Sequence, residues 1–299
     1  MGLDAPLLPP TFDYAAPRSL TEAIDLLKSR GEGAKIIAGG QSLIPLLKLR
    51  LSAPSALIDI GRIPGLEYIK ESGGFLRVGA LTRMADVEAS ALVGRRYPII
   101  HDASMVIADP IVRNLGTVGG NISHGDPAND LPAVMLALDA EFAILGPSGS
   151  RTVAAREFFL DTYSVDLGHE EILTELRVPV ALRGSGSAYL KVEQKTADFA
   201  TAGVAVFLRL NARGECTKVG IGLTAVGPKA IKAEKAEEAL IGQRATDREA
   251  VRNAAALAAE ASNPSSDIRG TAEYKQEMAK VVTRRALENA LKRAGGGRR

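Results

Sequence analysis

Two glycine runs carry the clearest chemistry in this chain: Ala38-Gly39-Gly40-Gln41-Ser42 and Gly116-Thr117-Val118-Gly119-Gly120-Asn121. Without a Cβ the backbone can approach an anion closely, and successive peptide N–H groups ahead of a helix offer donors to a phosphate. Ser42 and Thr117 add hydroxyls and Asn121 a carboxamide, so both runs suit a phosphate without any positive charge. Neither run continues into Gly-Lys-Ser/Thr or Gly-x-Gly-x-x-Gly, which excludes the common mononucleotide and dinucleotide fingerprints. Taken singly, a Gly-Gly turn before a helix is more often just a tight connection. Taken together, two such nests in separate lobes are what a pyrophosphate bridging two domains requires. Asp130 follows Asn121 at the start of an expected helix, where it is either an N-cap or an acceptor for a ribose hydroxyl. A lone Cys216 and three scattered histidines, His101, His124 and His169, supply neither the roughly four thiolates of an iron–sulfur cluster nor the ligand spacing of a zinc site. The histidines read as surface or capping residues.

The elements that must position these runs follow from the hydropathy pattern. Ser19-Leu20-Thr21-Glu22 is a capping-box pattern opening an amphipathic helix that ends at Gly31. A short buried strand over residues 34–38 leads into the first glycine run, and a helix is expected over 42–51. Residues 56–60 read as a strand, and 66–70 with 75–78 as a hairpin turned at Gly73-Gly74. Helices are expected near Asp86 and over 98–108. A long polar and glycine-rich loop over 109–129 then contains the second run, and loops of that length without structure of their own are usually functional. A helix over 130–138 closes it. Strands at 141–145 and 172–178 flank a Pro147-Ser148-Gly149 turn and a short helix over 156–160. After a Pro- and Gly-bearing link over 179–186, three strands (187–194, 202–210, 218–225) precede an alanine-rich helical stretch interrupted at Asn263-Pro264. The expectation is an α+β chain with subdomains over 1–61 and 62–180, a C-terminal domain over 181–294 built of a three-stranded antiparallel sheet with helices, and a flexible tail over 295–299.

The 299 residues suffice for two or three domains with separate cores. A composition of 46% hydrophobic and 24% charged residues, with no apolar run long enough to span a bilayer, describes an ordinary globular protein. The formal net charge of +2 and the missing aromatic interleaving argue against nucleic acid as a partner. One cysteine and no recognisable leader make the cytoplasm the expected compartment.

From Phe12 to about Leu291 the chain resembles the flavoprotein subunits of molybdenum hydroxylases, specifically the medium-subunit type of aerobic carbon monoxide dehydrogenase. The resemblance is carried by Phe12-Asp13-Tyr14, Ala38 to Pro45, Ile107-Ala108-Asp109-Pro110, Gly116 to Asn121, Gly125-Asp126-Pro127 and Asn129-Asp130-Leu131-Pro132, in that order. It implies a two-lobed FAD-binding domain of the vanillyl-alcohol-oxidase type. The implied cofactor-binding residues are Ala38, Gly39, Gly40, Gln41, Ser42 and Leu43 in the first motif, and Gly116, Thr117, Gly119, Gly120 and Asn121 in the second. Asp130 at the ribose and Leu173, Lys191 and Phe199 complete the set. Around Tyr189-Leu190-Lys191 and Lys195 to Ala202, an aromatic could stack on the isoalloxazine and a lysine could stabilise its anionic reduced form. The plainer reading of these residues is a core aromatic and a solvated charge. Relatives commonly carry tyrosine at Phe199, so a stacking face is kept and a hydroxyl is lost. Gln41 stands where some related flavin domains have histidine, so the FAD is expected to be non-covalent.

The resemblance further implies a dimer of heterotrimers. A large subunit with a molybdenum pyranopterin oxidises the substrate, and a small subunit carries two [2Fe-2S] clusters. This chain hands electrons to an acceptor such as a quinone, with the complex able to associate with the inner face of the cell membrane. Carbon monoxide is the favoured substrate; nicotine, caffeine, isoquinoline or aldehydes fit the same architecture. A free-standing flavoenzyme would need its own acid or base, and no paired carboxylates or triad stand out. A scaffold that had lost flavin would not need both glycine motifs.

Overall fold

The computed structural model describes residues 8–244 and 246–295. Its first layer is a three-stranded parallel sheet, β1 (Asp13–Ala15), β2 (Ala34–Ile37) and β3 (Ala56–Asp59), in the order β1-β3-β2. Helix α1 (Leu20–Arg30) starts as the capping pattern demands: the Ser19 hydroxyl accepts the Glu22 N–H at 3.1 Å. The Glu22 carboxylate reaches back one residue further than the pattern implies, accepting the Arg18 N–H at 2.7 Å. The helix buries Ala23, Ile24 and Leu27 against β3. Helix α2 (Leu43–Lys48) follows the first glycine run and is shorter than expected, because the chain turns back through Arg50 with its φ at +56°.

The second layer is a five-stranded sheet: β4 (Ile69–Ser72) and β5 (Phe75–Gly79), the expected hairpin, with β6 (Glu141–Gly146), β7 (Gly149–Ala154) and β10 (Ile172–Pro179), in the order β4-β5-β10-β6-β7. Strand β7 pairs with β6 around the Pro147 turn and has no apolar alternation to announce it, its pattern being polar except at Val153. A small ribbon of β8 (Phe159–Asp161) and β9 (Ser164–Val165) follows helix α9 (Ala155–Phe158). Helices α3 (Met84–Ala89), α4 (Ala91–Arg96) and α5 (Pro98–Val106) cover one side.

The expected long loop over 109–129 is in fact largely helical, with α6 (Pro110–Leu115) and α7 (Val118–Ser123) inside it. Each is capped by a side chain: Asp109 accepts the Val112 N–H at 2.9 Å and Thr117 the Gly120 N–H at 3.2 Å. Short helices rich in glycine have little intrinsic helix preference and no amphipathic stripe, so their existence rests on these caps and on packing.

Helix α8 (Asp130–Ala137) is buried at every residue and is the axle of the molecule. A helix apolar all round must be covered on all sides. On one side it meets the second layer's core of Phe142, Phe158 and Phe159; on the other it meets the C-terminal sheet. That sheet, β11 (Ser185–Val192), β12 (Ala202–Leu210) and β13 (Cys216–Thr224), is the expected antiparallel three, extended by a two-residue fourth strand β14 (Ile231–Lys232). Helices α10 (Glu234–Leu240), α11 (Arg248–Glu260) and α12 (Ala272–Gly295) back it, with a core of small and β-branched residues. Gly295 closes α12 and is not part of a tail; residues 296–299 lie outside the described residues.

Candidate functional site

The first glycine run leaves β2 at Ile37 and folds back before α2. Gly40 has φ at +72°, a conformation that strains any side-chain-bearing residue. The Gln41 carboxamide closes the turn by donating to Gly39 O at 2.9 Å. Among the described residues, none accepts a hydrogen bond from the backbone N–H groups of Gly39, Gly40, Gln41 or Ser42, and the Ser42 hydroxyl does not cap α2. Four successive uncommitted amides and a hydroxyl form a donor set, with no carboxylate among them, that fits an anionic oxygen cluster such as a pyrophosphate.

The second run is built differently from the nest expected of it. Its amides are already spent: Val118 donates to Thr82 O at 2.9 Å, Gly119 to Ala80 O at 2.8 Å and Asn121 to Thr117 O at 2.9 Å. Its glycines serve close packing. A Cβ on Gly119 would lie 2.6 Å from the Ala80 Cβ, at the end of β5. Reciprocally, a Cβ on Gly39 would overlap the Leu115 carbonyl and approach Gly116 Cα to 2.9 Å, so the two runs are pressed together backbone to backbone. Gly120 is exposed, and a Cβ there would meet little besides the Thr117 hydroxyl at 2.9 Å. The geometry thus brings the start of the two runs together, Gly39 and Gln41 against Leu115 and Gly116; the first run keeps backbone donors free, and the second carries the exposed Gly120 and the Asn121 side chain on the short helix that follows.

Arg113 steadies this arrangement and was missed at the sequence level. Its buried guanidinium pairs with Glu88 at 2.6 Å and donates to Ile107 O and Ala108 O at 3.1 and 2.7 Å. Those carbonyls lie where Ala108 takes a φ of +47°. The signal available was an arginine three residues after Asp109-Pro110, which sequence alone cannot distinguish from a surface charge.

Asp130 is not a helix cap; Asn129 holds that position. Asp130 is 5% exposed, accepts a hydrogen bond from the Tyr189 hydroxyl and lies 3.4 Å from Lys191 Nζ. Burial pushes its pKa up to about 6, against the opposing pull of Lys191 and Tyr189. The Lys191 ammonium is interior and donates to Val106 O and Asp198 O, both at 2.8 Å, besides Asp130, while the Glu193 carboxylate is 3.2 Å away. Three N–H bonds therefore meet three acceptors. Lys191 acts as a staple between α5, α8 and the 198 turn. Tyr189 is 3% exposed, a core aromatic and not a stacking platform. Phe199 is half exposed, with the Arg269 guanidinium 5.5 Å from one face, and Arg269 also donates to Asp198 at 3.0 Å. That pairing holds the Asp198 carboxyl below its ordinary range. Leu173 is 4% exposed on β10, opposite Ile144, and its side chain belongs to the core. Among the described residues no cluster of three or more His, Cys, Asp or Glu could hold a metal, and no helix is long and apolar enough to cross a membrane.

This architecture has close counterparts. Residues 10–181 match the model of the FAD binding domain in molybdopterin dehydrogenase, and residues 187–290 that of the CO dehydrogenase flavoprotein C-terminal domain. The chain is 45% identical to the carbon monoxide dehydrogenase medium chain of Hydrogenophaga pseudoflava, over 96% of this chain and 99% of that one. It is 37% identical to the 6-hydroxypseudooxynicotine dehydrogenase complex subunit alpha of Paenarthrobacter nicotinovorans, over 96% of each. A solved structure of the Hydrogenophaga pseudoflava carbon monoxide dehydrogenase lacking the Mo-pyranopterin moiety superposes with a TM-score of 0.93 at 47% identity, covering 96% of this chain and 99% of that one. The spacing of the motifs, the contact between them and these matches agree: the chain belongs to the family of FAD-binding flavoprotein subunits of molybdopterin dehydrogenases.

Proposed function

We propose that this chain is the electron-exit subunit of an aerobic carbon monoxide dehydrogenase. In this reading it works with a small subunit bearing two [2Fe-2S] clusters and a large subunit where a molybdenum pyranopterin converts CO and water to CO2, two protons and two electrons. The observation that carries the flavin part is the run of four uncommitted amides at Gly39 to Ser42, pressed against Leu115 and Gly116. These residues and Asn121 would hold the pyrophosphate, with Asp130 and Lys191 at the domain junction and Phe199 beside the ring. Non-covalently bound FAD supplies a carrier that accepts electrons singly and delivers them as a pair. The chain's own residues bind and orient it, and none is asked to act as acid or base. Support for carbon monoxide is the higher identity to the medium chain of that enzyme, 45% against 37% for the 6-hydroxypseudooxynicotine dehydrogenase complex subunit alpha. A quinone acceptor would place the complex at the inner face of the cell membrane.

The test is a visible spectrum and metal analysis of the native complex purified through this chain, before and after adding carbon monoxide. Bleaching of flavin and iron–sulfur absorbance, with molybdenum present, is expected. The same cofactors without bleaching would overturn the substrate and keep the subunit role, directing the search to N-heterocycles and aldehydes.

A further inference from the structure

Asn129 stands at the N-cap of α8, where an asparagine side chain ordinarily accepts an N–H from the first helical turn, yet it makes no such bond. One candidate donor is missing, since Pro132 at the third helical position has no N–H. The carboxamide points instead at Asn121, donating through Nδ2 to Asn121 O at 2.9 Å and to Asn121 Oδ1 at 2.7 Å. A backbone carbonyl can only accept, so the Asn129 atom facing it must be the amide nitrogen. The Asn121 side-chain atom facing that nitrogen must then be its oxygen. It follows that Asn121 turns its NH2 the other way, where no described residue accepts it. Asn121 sits on the first turns of α7, beside exposed Gly120 and after three amides that are already committed.

Asn129 is held in turn from the other domain. The hydroxyl of Thr224, fully buried on β13, lies 2.7 Å from Asn129 O and 3.0 Å from Pro127 O, and the Ala225 N–H donates to Pro127 O at 2.9 Å.

We propose that Asn129, anchored by Thr224 of the C-terminal sheet, is a positioning residue that decides which end of the Asn121 carboxamide faces the phosphate groups of the cofactor. This rests on the reading that Asn121 borders the FAD pyrophosphate. Presenting NH2 favours an anion; presenting the carbonyl oxygen repels it.

The test is a double-mutant cycle on the full chain, reading the dissociation constants of FAD and of riboflavin, which has the same ring and no phosphate. In Asn129→Asp the carboxylate accepts but does not donate, so Asn121 must flip to satisfy it. FAD affinity is expected to fall about tenfold, the loss of one hydrogen bond to a charged group, with riboflavin changed by less than about twofold. In an Asn121→Ala background the same replacement should have no further effect on FAD. Asn129→Ala, which frees Asn121 without repelling it, should cost about threefold and also vanish in that background; it serves if the aspartate variant does not fold. Equal losses with and without Asn121, or equal losses for FAD and riboflavin, would overturn the proposal. Failure of the unmodified chain to bind FAD would instead overturn the reading on which it rests.

Discussion

At the scale of single residues, the glycines of the two runs do different work, and the difference is measurable. Gly119→Ala places a methyl against the Ala80 backbone and Cβ, so it should destabilise the fold by about 2 kcal/mol in urea unfolding, through overpacking. Gly120→Val faces solvent but sets its β-carbon 2.9 Å from the Thr117 hydroxyl that caps α7, so it should lower the unfolding midpoint yet leave the chain folded while preventing FAD binding, read by flavin absorbance of the purified protein. Full flavin occupancy in Gly120→Val would place the pyrophosphate elsewhere. Asp130 offers a second residue-scale prediction. Its folded pKa of about 6 lies above the roughly 4 of an unfolded aspartate, so its protonated form stabilises the fold below about pH 4, and that contribution is lost as pH rises through 6. The groups facing it are Lys191, Tyr189 and Glu193. Asp130→Asn removes the titration, so the melting temperature of the variant minus that of the parent chain should increase from pH 4 to pH 7. A constant difference across that range would show that burial does not shift this carboxyl.

At the scale of elements, α8 and β13 decide how the two halves meet. A Cβ on Gly220 or Gly222 would overlap the carbonyl oxygens of Ala137 and Ala133, so the strand crosses the helix at backbone distance. Gly222→Ala must push β13 off α8, and with it the Thr224 hydroxyl that holds the 127–129 carbonyls. The expected result is a loss of about 2 kcal/mol or more in stability together with weaker FAD binding, although no residue of β13 is assigned to the cofactor. Unaltered affinity at lowered stability would mean that the site is set within the first two layers alone. Much at this scale was legible beforehand. The Ser19 cap, the Gly73-Gly74 hairpin and the apolar strands β12 and β13 all combine a strong periodic pattern with a local stop or start signal. Helices α6 and α7 were not legible, because Pro110 and the glycines of 116–120 read as loop residues, and the Asp109 and Thr117 caps suffice only together with tertiary contacts to Thr82, Ala80 and Gly39.

At the scale of the whole molecule, the FAD-binding half is incomplete without the C-terminal domain. Residues 1–181 alone would expose the α8 face that receives Gly220 and Gly222, and would leave Asp130 without Tyr189 and Lys191. Such a fragment is expected to aggregate or bind a hydrophobic dye in size-exclusion and fluorescence assays and to hold no flavin; a monodisperse, yellow fragment would refute the interdependence. By itself the sequence determined the chemistry on offer, since glycine pairs with hydroxyl and amide neighbours are local features and their order along the chain marks the family. It also determined the main strands and helices, whose periodicity is written in neighbouring residues. The tertiary structure alone decided that the first run keeps its amides free while the second spends them. It likewise decided that Asp130 is a buried junction residue and not a cap, that Lys191 is a staple, and that Asn129 turns to Asn121. Each of these depends on which acceptor, between three and 95 residues away in the chain, arrives beside a given donor, and no local pattern encodes that meeting.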